Sequence, residues 1–265
     1  QCNIPFQQQQ AMAEQAITNQ YGALGYNDVE GAYYNYQDLD QILGEISAVS
    51  GVYSTYWVLD GGKADGFGAF TFPASTLVFH VDTSRMAYAV GDDYFMGISN
   101  GWSAQDFRWK LQQDVSNIQF TPLGPDGYDP AYIGNDEAVR FFSLSALAGV
   151  AAHEASHIYN NDVVERMCLT YQNGNPYLVA AFGKEQERQA DITAANFIAD
   201  AYLQNPEGLL QPYGMILTME IIRSFENITG PSSGYPSAAE RMANVMQVFA
   251  ERSIEVKSID DQFNY

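Results

Sequence analysis

The sequence is poor in basic residues and has no long apolar run. Its 265 residues include 12 Lys and Arg against 32 Asp and Glu, which gives a formal net charge of −20. A chain this acidic is repelled by phosphate backbones and by anionic lipid, so we expect no nucleic-acid partner and no electrostatic membrane docking. The longest apolar stretch, Phe141–Ala152, is interrupted by serines and is shorter than the roughly 20 residues a membrane helix needs. We therefore expect no integral membrane segment.

Cysteine is equally scarce, with only Cys2 and Cys168 in the chain. Two cysteines cannot build a disulfide scaffold, but they can form one bridge. The 18 tyrosines, the few lysines and the abrupt start at Gln1 are typical of exported proteins, so we expect a periplasmic or secreted protein. That compartment favours a Cys2–Cys168 disulfide. The alternative is two free thiols, with Cys168 buried as a small apolar residue.

The apolar pattern predicts an α+β chain. Apolar positions spaced three and four apart indicate helices, and alternation indicates strands. Helices are predicted over 7–17, 38–48, 136–160, 162–169, 184–203, 209–225 and 238–252, and strands over 51–60, 67–72, 76–81 and 94–98. A small, mostly N-terminal sheet (1–135) would therefore stand beside a helical part (136–253), with an acidic tail (254–265) loosely on the surface. Because no linker separates these parts, we expect a single domain over 1–265.

Two of the three histidines form one motif. His153 and His157 enclose Glu154 in a His-Glu-x-x-His sequence. Residues four apart share a helix face, so both imidazoles can reach one metal ion, and the adjacent glutamate can take a proton from a metal-bound water. The apolar flanks of the motif predict a buried helix, where two histidines beside a glutamate need a reason. The alternative is a pair of structural histidines. The third histidine, His80, is predicted to be a strand residue.

A zinc site needs a further protein ligand, and a downstream helix offers one. Glu187 and Asp191 lie four apart, beside the small residues Ala190, Ala194 and Ala195. We expect Glu187 to be the third ligand and Asp191 to accept the far N–H of a ligand histidine. The small residues would let this helix approach the metal helix closely. The alternative is a solvated acidic helix face.

Three segments resemble one family. They are Leu147–His157 (LAGVAAHEASH), Glu187-x-x-Ala190-Asp191 and Tyr235–Arg241 (YPSAAER). Together they are similar, over residues 136–245, to the gluzincin metallopeptidases of the HtpX and CAAX-prenyl-protease type, whose pattern is H-E-x-x-H, then E-x-x-A-D, then H-P-S-x-x-x-R.

The resemblance implies a zincin-like fold and one zinc ion per chain, held by His153, His157 and Glu187. It also implies that Glu154 acts as general base and acid, and it places Arg241 near the active site. Tyr235 stands where the family has a histidine that stabilises the transition state. A tyrosine hydroxyl can still donate to an oxyanion, and the alternative is a turn aromatic before a proline.

These observations predict a zinc-dependent endopeptidase that acts on peptides or unfolded proteins. The substrate would lie extended along an edge strand of the sheet. Two alternatives stay open: a non-proteolytic, chaperone-like binding protein that retains a zinc site, and a latent peptidase whose N-terminus or acidic tail covers the cleft. The sequence gives no prediction of the oligomeric state.

Overall fold

The computed structural model describes residues 4–21, 27–28, 36–60, 68–121, 136–172, 183–231 and 234–263. The N-terminal elements are α1 (Phe6–Tyr21), β1 (Asn27–Asp28), α2 (Tyr36–Ser50), β2 (Thr55–Asp60), β3 (Ala69–Phe72), β4 (Thr76–His80), α3 (Val81–Asn100) and α4 (Ala104–Phe120). Six further helices follow in the described part: α5 (Glu137–Tyr159), α6 (Asp162–Gln172), α7 (Lys184–Gln204), α8 (Pro212–Thr229), α9 (Ala238–Glu251) and α10 (Ile259–Phe263). None of the described helices is long and apolar enough to cross a membrane.

The four strands form one small sheet in the order β1-β2-β4-β3. β2 and β4 run parallel, with Thr55 opposite Thr76, while β3 is antiparallel to β4, with Thr71 opposite Leu77. A tight turn at residues 73–75 joins β3 to β4. Among the described residues, β3 has a partner strand on one side only, so it is an edge strand of this sheet.

The helix α5 runs through the centre of the fold. Every residue from Ser143 to His157 is buried, and α5 packs against α3, α7 and α8. Glycines allow the closest approach: a Cβ on Gly214 of α8 would lie 2.3 Å from the main-chain oxygen of Ser145. This packing carries the C-terminal end of α5, with its two histidines, into the interior.

The helix α7 lies against α5 through small side chains, as the sequence predicts. Ala190, Ala194 and Ala195 are all fully buried. Glu187 and Asp191 of the same helix contact His153 of α5.

The first helix connects the sheet with α6 through two separate apolar clusters. Ile17 packs with Phe72 and Val78 of the sheet, whereas Ile4, just before α1, packs with Met167 of α6. The contacts of Ile17 lie on the face of the sheet opposite to that of Leu77 and Phe79, which belong to the main core.

One expectation for the N-terminal part is wrong, and one helix there was not predicted. Residues 94–98 are not a strand but lie within α3, where Val90, Tyr94 and Gly97 are buried at helical spacing. The helix α4 was not predicted, although Phe107, Leu111 and Val115 recur every four residues and are buried. Its N-terminus is fixed by a capping box between Ser103 and Asp106, which is a signal readable from the sequence.

The acidic tail is also more ordered than expected. Ile259 and Phe263 are buried, and the ring of Phe263 stacks on Phe107 with centroids 5.1 Å apart. Asp260 pairs with Arg108 of α4 at 2.7 Å. Apolar burial thus outweighs the acidic character that suggested a loose segment. Cys2 lies outside the described residues, so the disulfide between Cys2 and Cys168 stays a prediction.

Candidate metal centre

Three buried side chains from α5 and α7 meet at one point. Nε2 of His153 lies 3.1 Å from Oε2 of Glu187, and Nε2 of His157 lies 3.8 Å from Oε1 of the same carboxylate. The two imidazole rings are nearly perpendicular, with centroids 4.9 Å apart. One ligand atom from each of the three residues lies within 4.8 Å of the other two. This spacing allows all three to bind a single metal ion.

Each imidazole also contacts a second carboxylate through its other ring nitrogen, Nδ1. Nδ1 of His153 lies 2.9 Å from Oδ1 of Asp191, and Nδ1 of His157 lies 2.8 Å from Oδ2 of Asp162. When Nδ1–H donates to these carboxylates, the lone pair of each Nε2 is directed toward the meeting point, which is the usual orientation of metal-ligating histidines. The sequence analysis anticipated Asp191 but missed Asp162.

Arg241 acts on this arrangement through Asp191. Its Nε donates to Oδ2 at 2.8 Å and its Nη2 to Oδ1 at 2.7 Å, so the pair is bidentate. Burial alone would raise the pKa of Asp191, but the Arg241 charge and the hydrogen bonds lower it to about 2. Arg241 therefore keeps Asp191 ionised, and its Nη2 also lies 3.3 Å from Nδ1 of His153.

The contacts among the three candidate ligands, His153, His157 and Glu187, favour a bound cation. A neutral imidazole has one N–H, yet both nitrogens of His153 face carboxylate oxygens. One of those contacts thus sets a lone pair against a carboxylate unless a positive charge is present. Burial opposes a charge on His153, but the hydrogen bonds to Asp191 and Glu187 prevail and raise its pKa to about 10. A metal ion at this point would meet the same demand with the imidazole neutral.

Glu154 lies beside the three candidate metal ligands but is not one of them. The side chain is buried, and its Oε2 accepts a hydrogen bond of 2.6 Å from the hydroxyl of Thr71. Burial raises the pKa of the Glu154 carboxyl, while the Thr71 hydrogen bond and the neighbouring histidines oppose the increase. The carboxyl is thus buried beside a charged centre, as expected of a group that exchanges protons.

Tyr235 and Arg166 lie at the exposed side of the cluster. Tyr235 is 36% exposed, and burial together with the charges of Glu187 and Glu154 raises its pKa. Arg166 of α6 is half-buried, and the charges of Glu187 and Tyr235 act on it as well. Arg166 was not predicted, because an isolated arginine in α6 has no distinguishing pattern.

The comparisons with known proteins agree with a proteolytic function. A family model described as Peptidase U49 matches residues 103–257. This segment is more than half of the chain and includes the three candidate metal ligands. No curated protein and no solved structure matches the chain. The chain belongs to the Peptidase U49 family, a family of peptidases.

Proposed function

We propose that this peptidase is a zinc-dependent endopeptidase of the gluzincin type, with a zincin-like fold. The observation that carries the proposal is the convergence of His153, His157 and Glu187 on one buried point, with Glu154 next to it. The resemblance of the three sequence segments to HtpX-type and CAAX-prenyl-protease-type enzymes supports the same assignment.

The donor set suits zinc. Two imidazole nitrogens and one carboxylate oxygen are a common protein ligand set for a catalytic zinc ion, which keeps one position open for water. When bound, zinc would polarise the scissile carbonyl and lower the pKa of its water. Asp191 and Asp162 keep the two imidazoles oriented, and Arg241 keeps Asp191 ionised.

Glu154 supplies the proton transfers. Its carboxylate takes a proton from the attacking water and passes it to the leaving amine, as a general base and then a general acid. Burial raises the pKa of this carboxyl from that of an exposed glutamate, which makes the carboxylate a stronger base for the first step. Tyr235 is the candidate donor to the oxygen of the scissile carbonyl, since its phenol lies at the exposed side of the cluster.

The edge strand β3 is the proposed position of the substrate. An extended peptide adds to an exposed sheet edge through main-chain hydrogen bonds, and β3 forms that edge. The strand packs against α5, so a peptide along it would pass close to Glu154. This mode of binding selects extended or unfolded segments.

The test of the proposal combines metal analysis with hydrolysis of an unfolded protein substrate. Purified parent protein should contain one zinc ion per chain and cleave the substrate. Glu154→Gln should retain the zinc and lose activity by at least a hundredfold, because glutamine has a similar size but cannot act as a base. Glu137→Gln, an exposed change on the same helix, is the matched control. Parent protein without stoichiometric metal, or Glu154→Gln protein with activity within a few-fold of the parent, would overturn the proposal.

A further inference from the structure

A buried hydroxyl on the edge strand faces the metal helix. Thr71 lies in the middle of β3 and is 3% exposed. An inward-facing strand position is filled equally well by valine, which has the same branched shape. Burying a hydroxyl costs free energy unless it forms a hydrogen bond. The partner of this hydroxyl therefore indicates what a threonine contributes here.

Both hydrogen bonds of the Thr71 hydroxyl lead to Glu154. Oγ1 lies 2.6 Å from Oε2 of the carboxylate and 2.9 Å from the main-chain oxygen of the same residue. A hydroxyl has one hydrogen, so it donates to one of these oxygens at a time, and the shorter contact to the charged acceptor is the stronger one. Within the described part of the chain, this hydroxyl is the one hydrogen-bond donor that reaches the Glu154 carboxylate.

The contact fixes one oxygen of the carboxylate and leaves the other available. With Oε2 held by Thr71, the rotation of the carboxylate is restricted, and Oε1 has no protein hydrogen-bond donor among the described residues. A general base must lie within hydrogen-bond reach of the proton that it removes, so its orientation contributes directly to rate. The same contact also links the base to β3, the strand along which the substrate is proposed to lie.

We propose that Thr71 is a positioning residue that holds the carboxylate of Glu154 and fixes it relative to the substrate-binding edge strand. This inference rests on the proposed function, because it assigns Thr71 a part in the chemistry of Glu154. Thr71 lies outside the segment that matches the family model, residues 103–257, so that match carries no information about it.

The test compares three variants in the full-length, zinc-loaded protein. Thr71→Val removes the hydroxyl and keeps the shape, Thr71→Ser keeps the hydroxyl, and Thr76→Val removes a buried hydroxyl on β4 that pairs with Thr55. We expect Thr71→Val to lower kcat by roughly 10- to 100-fold with KM within about twofold. Thr71→Ser should recover most of that loss, and Thr76→Val should resemble the parent. Zinc content and melting temperature, measured in parallel, should show one ion per chain and a folded protein in all three.

Three results would overturn the role of Thr71. The first is a Thr71→Val variant with kcat within twofold of the parent. The second is a Thr71→Ser variant as impaired as Thr71→Val, which would indicate packing rather than a hydrogen bond. The third is loss of zinc in Thr71→Val, which would indicate a structural role. Failure of the proposed function is distinguishable, because then the parent itself would lack zinc or Glu154→Gln would stay active.

Discussion

Asp162 accepts a hydrogen bond from Nδ1 of His157 at 2.8 Å, although it lies in the next helix. The turn between α5 and α6 makes this contact possible. Asn161 adopts a left-handed conformation with φ 64°, which asparagine tolerates better than most residues, and α6 begins at the next residue. The local turn that ends α5 therefore also supplies the carboxylate that orients one of its histidines.

Asp162→Ala should weaken zinc binding without removing a proposed ligand. Loss of a carboxylate behind a ligand histidine typically lowers metal affinity by about 10- to 100-fold. Competition with a chromophoric chelator measures this affinity, and Glu165→Ala, an exposed change in the same helix, is the control. Asp162→Asn should fall between the two, since an amide oxygen can still accept the hydrogen bond. An affinity within twofold of the parent for Asp162→Ala would contradict the role of this contact.

The sequence predicts the parts of the site that local spacing encodes. His153 and His157 are four apart on one helix, as are Glu187 and Asp191, so each pair shares a face whatever the rest of the fold does. The contact between Thr71 and Glu154 spans 83 residues. It depends on how β3 packs against α5, and a single threonine in a strand gives no signal of that packing. Asp162 lies close in sequence, but its contact depends on a turn geometry that spacing does not specify.

The fold shows the same division between local pattern and tertiary packing. The long helices with regular apolar spacing, such as α5 and α7, match their predicted ranges closely. The stretch at 94–98 has aromatic residues that favour a strand, yet it continues α3 because Tyr94 and Gly97 face the core at helical spacing. Phe263 becomes buried because Phe107 of α4 and Tyr94 of α3 pack against its ring, and no pattern within the tail reveals these partners.

Tyr235→Phe should lower kcat and leave KM almost unchanged. A donor to the oxygen of the scissile carbonyl acts mainly in the transition state, and removing one such donor typically costs about 10²–10³ in rate. Zinc content should stay at one ion per chain, because Tyr235 is not among the metal-facing donors. Steady-state kinetics on a single peptide, with metal analysis of the same samples, measures both. An unchanged kcat would leave Tyr235 as a turn aromatic.

Arg241→Lys, unlike Tyr235→Phe, should lower the affinity for zinc. Lysine keeps the charge but cannot make the bidentate contact with Asp191. Asp191 should then orient His153 less well, and zinc should bind more weakly. At saturating zinc, kcat should recover to within a few-fold of the parent. A kcat that stays low at full zinc occupancy would show instead that Arg241 acts directly on the substrate.

A different buried carboxyl, on α3, governs a part of the pH dependence of stability. Asp93 is 1% exposed, and within the described residues its Oδ2 has no hydrogen-bond partner. Lys110 lies 3.5 Å from Oδ1 but also pairs with Asp114. Burial, reinforced by the charges of Asp114 and Asp92 and opposed by Lys110, raises the pKa of Asp93 to about 8. The folded protein therefore holds a proton on Asp93 at pH values where the unfolded chain has lost it.

Asp93→Asn should stabilise the protein at alkaline pH and have little effect at acidic pH. Because the pKa of Asp93 in the folded state lies above that in the unfolded state, the parent loses stability as the pH rises from about 4 through about 8. Asparagine carries no charge at any of these pH values, so the variant lacks this loss. The difference in melting temperature between variant and parent should be smallest near pH 4 and should grow by roughly 3 °C or more by pH 8.5. Titration at the metal centre affects both proteins alike and cancels in the difference, and the exposed change Glu255→Gln should give a difference that does not vary with pH.

A variant that is no more stable than the parent at pH 8.5 would show that Asp93 is already ionised and accommodated by Lys110 at neutral pH.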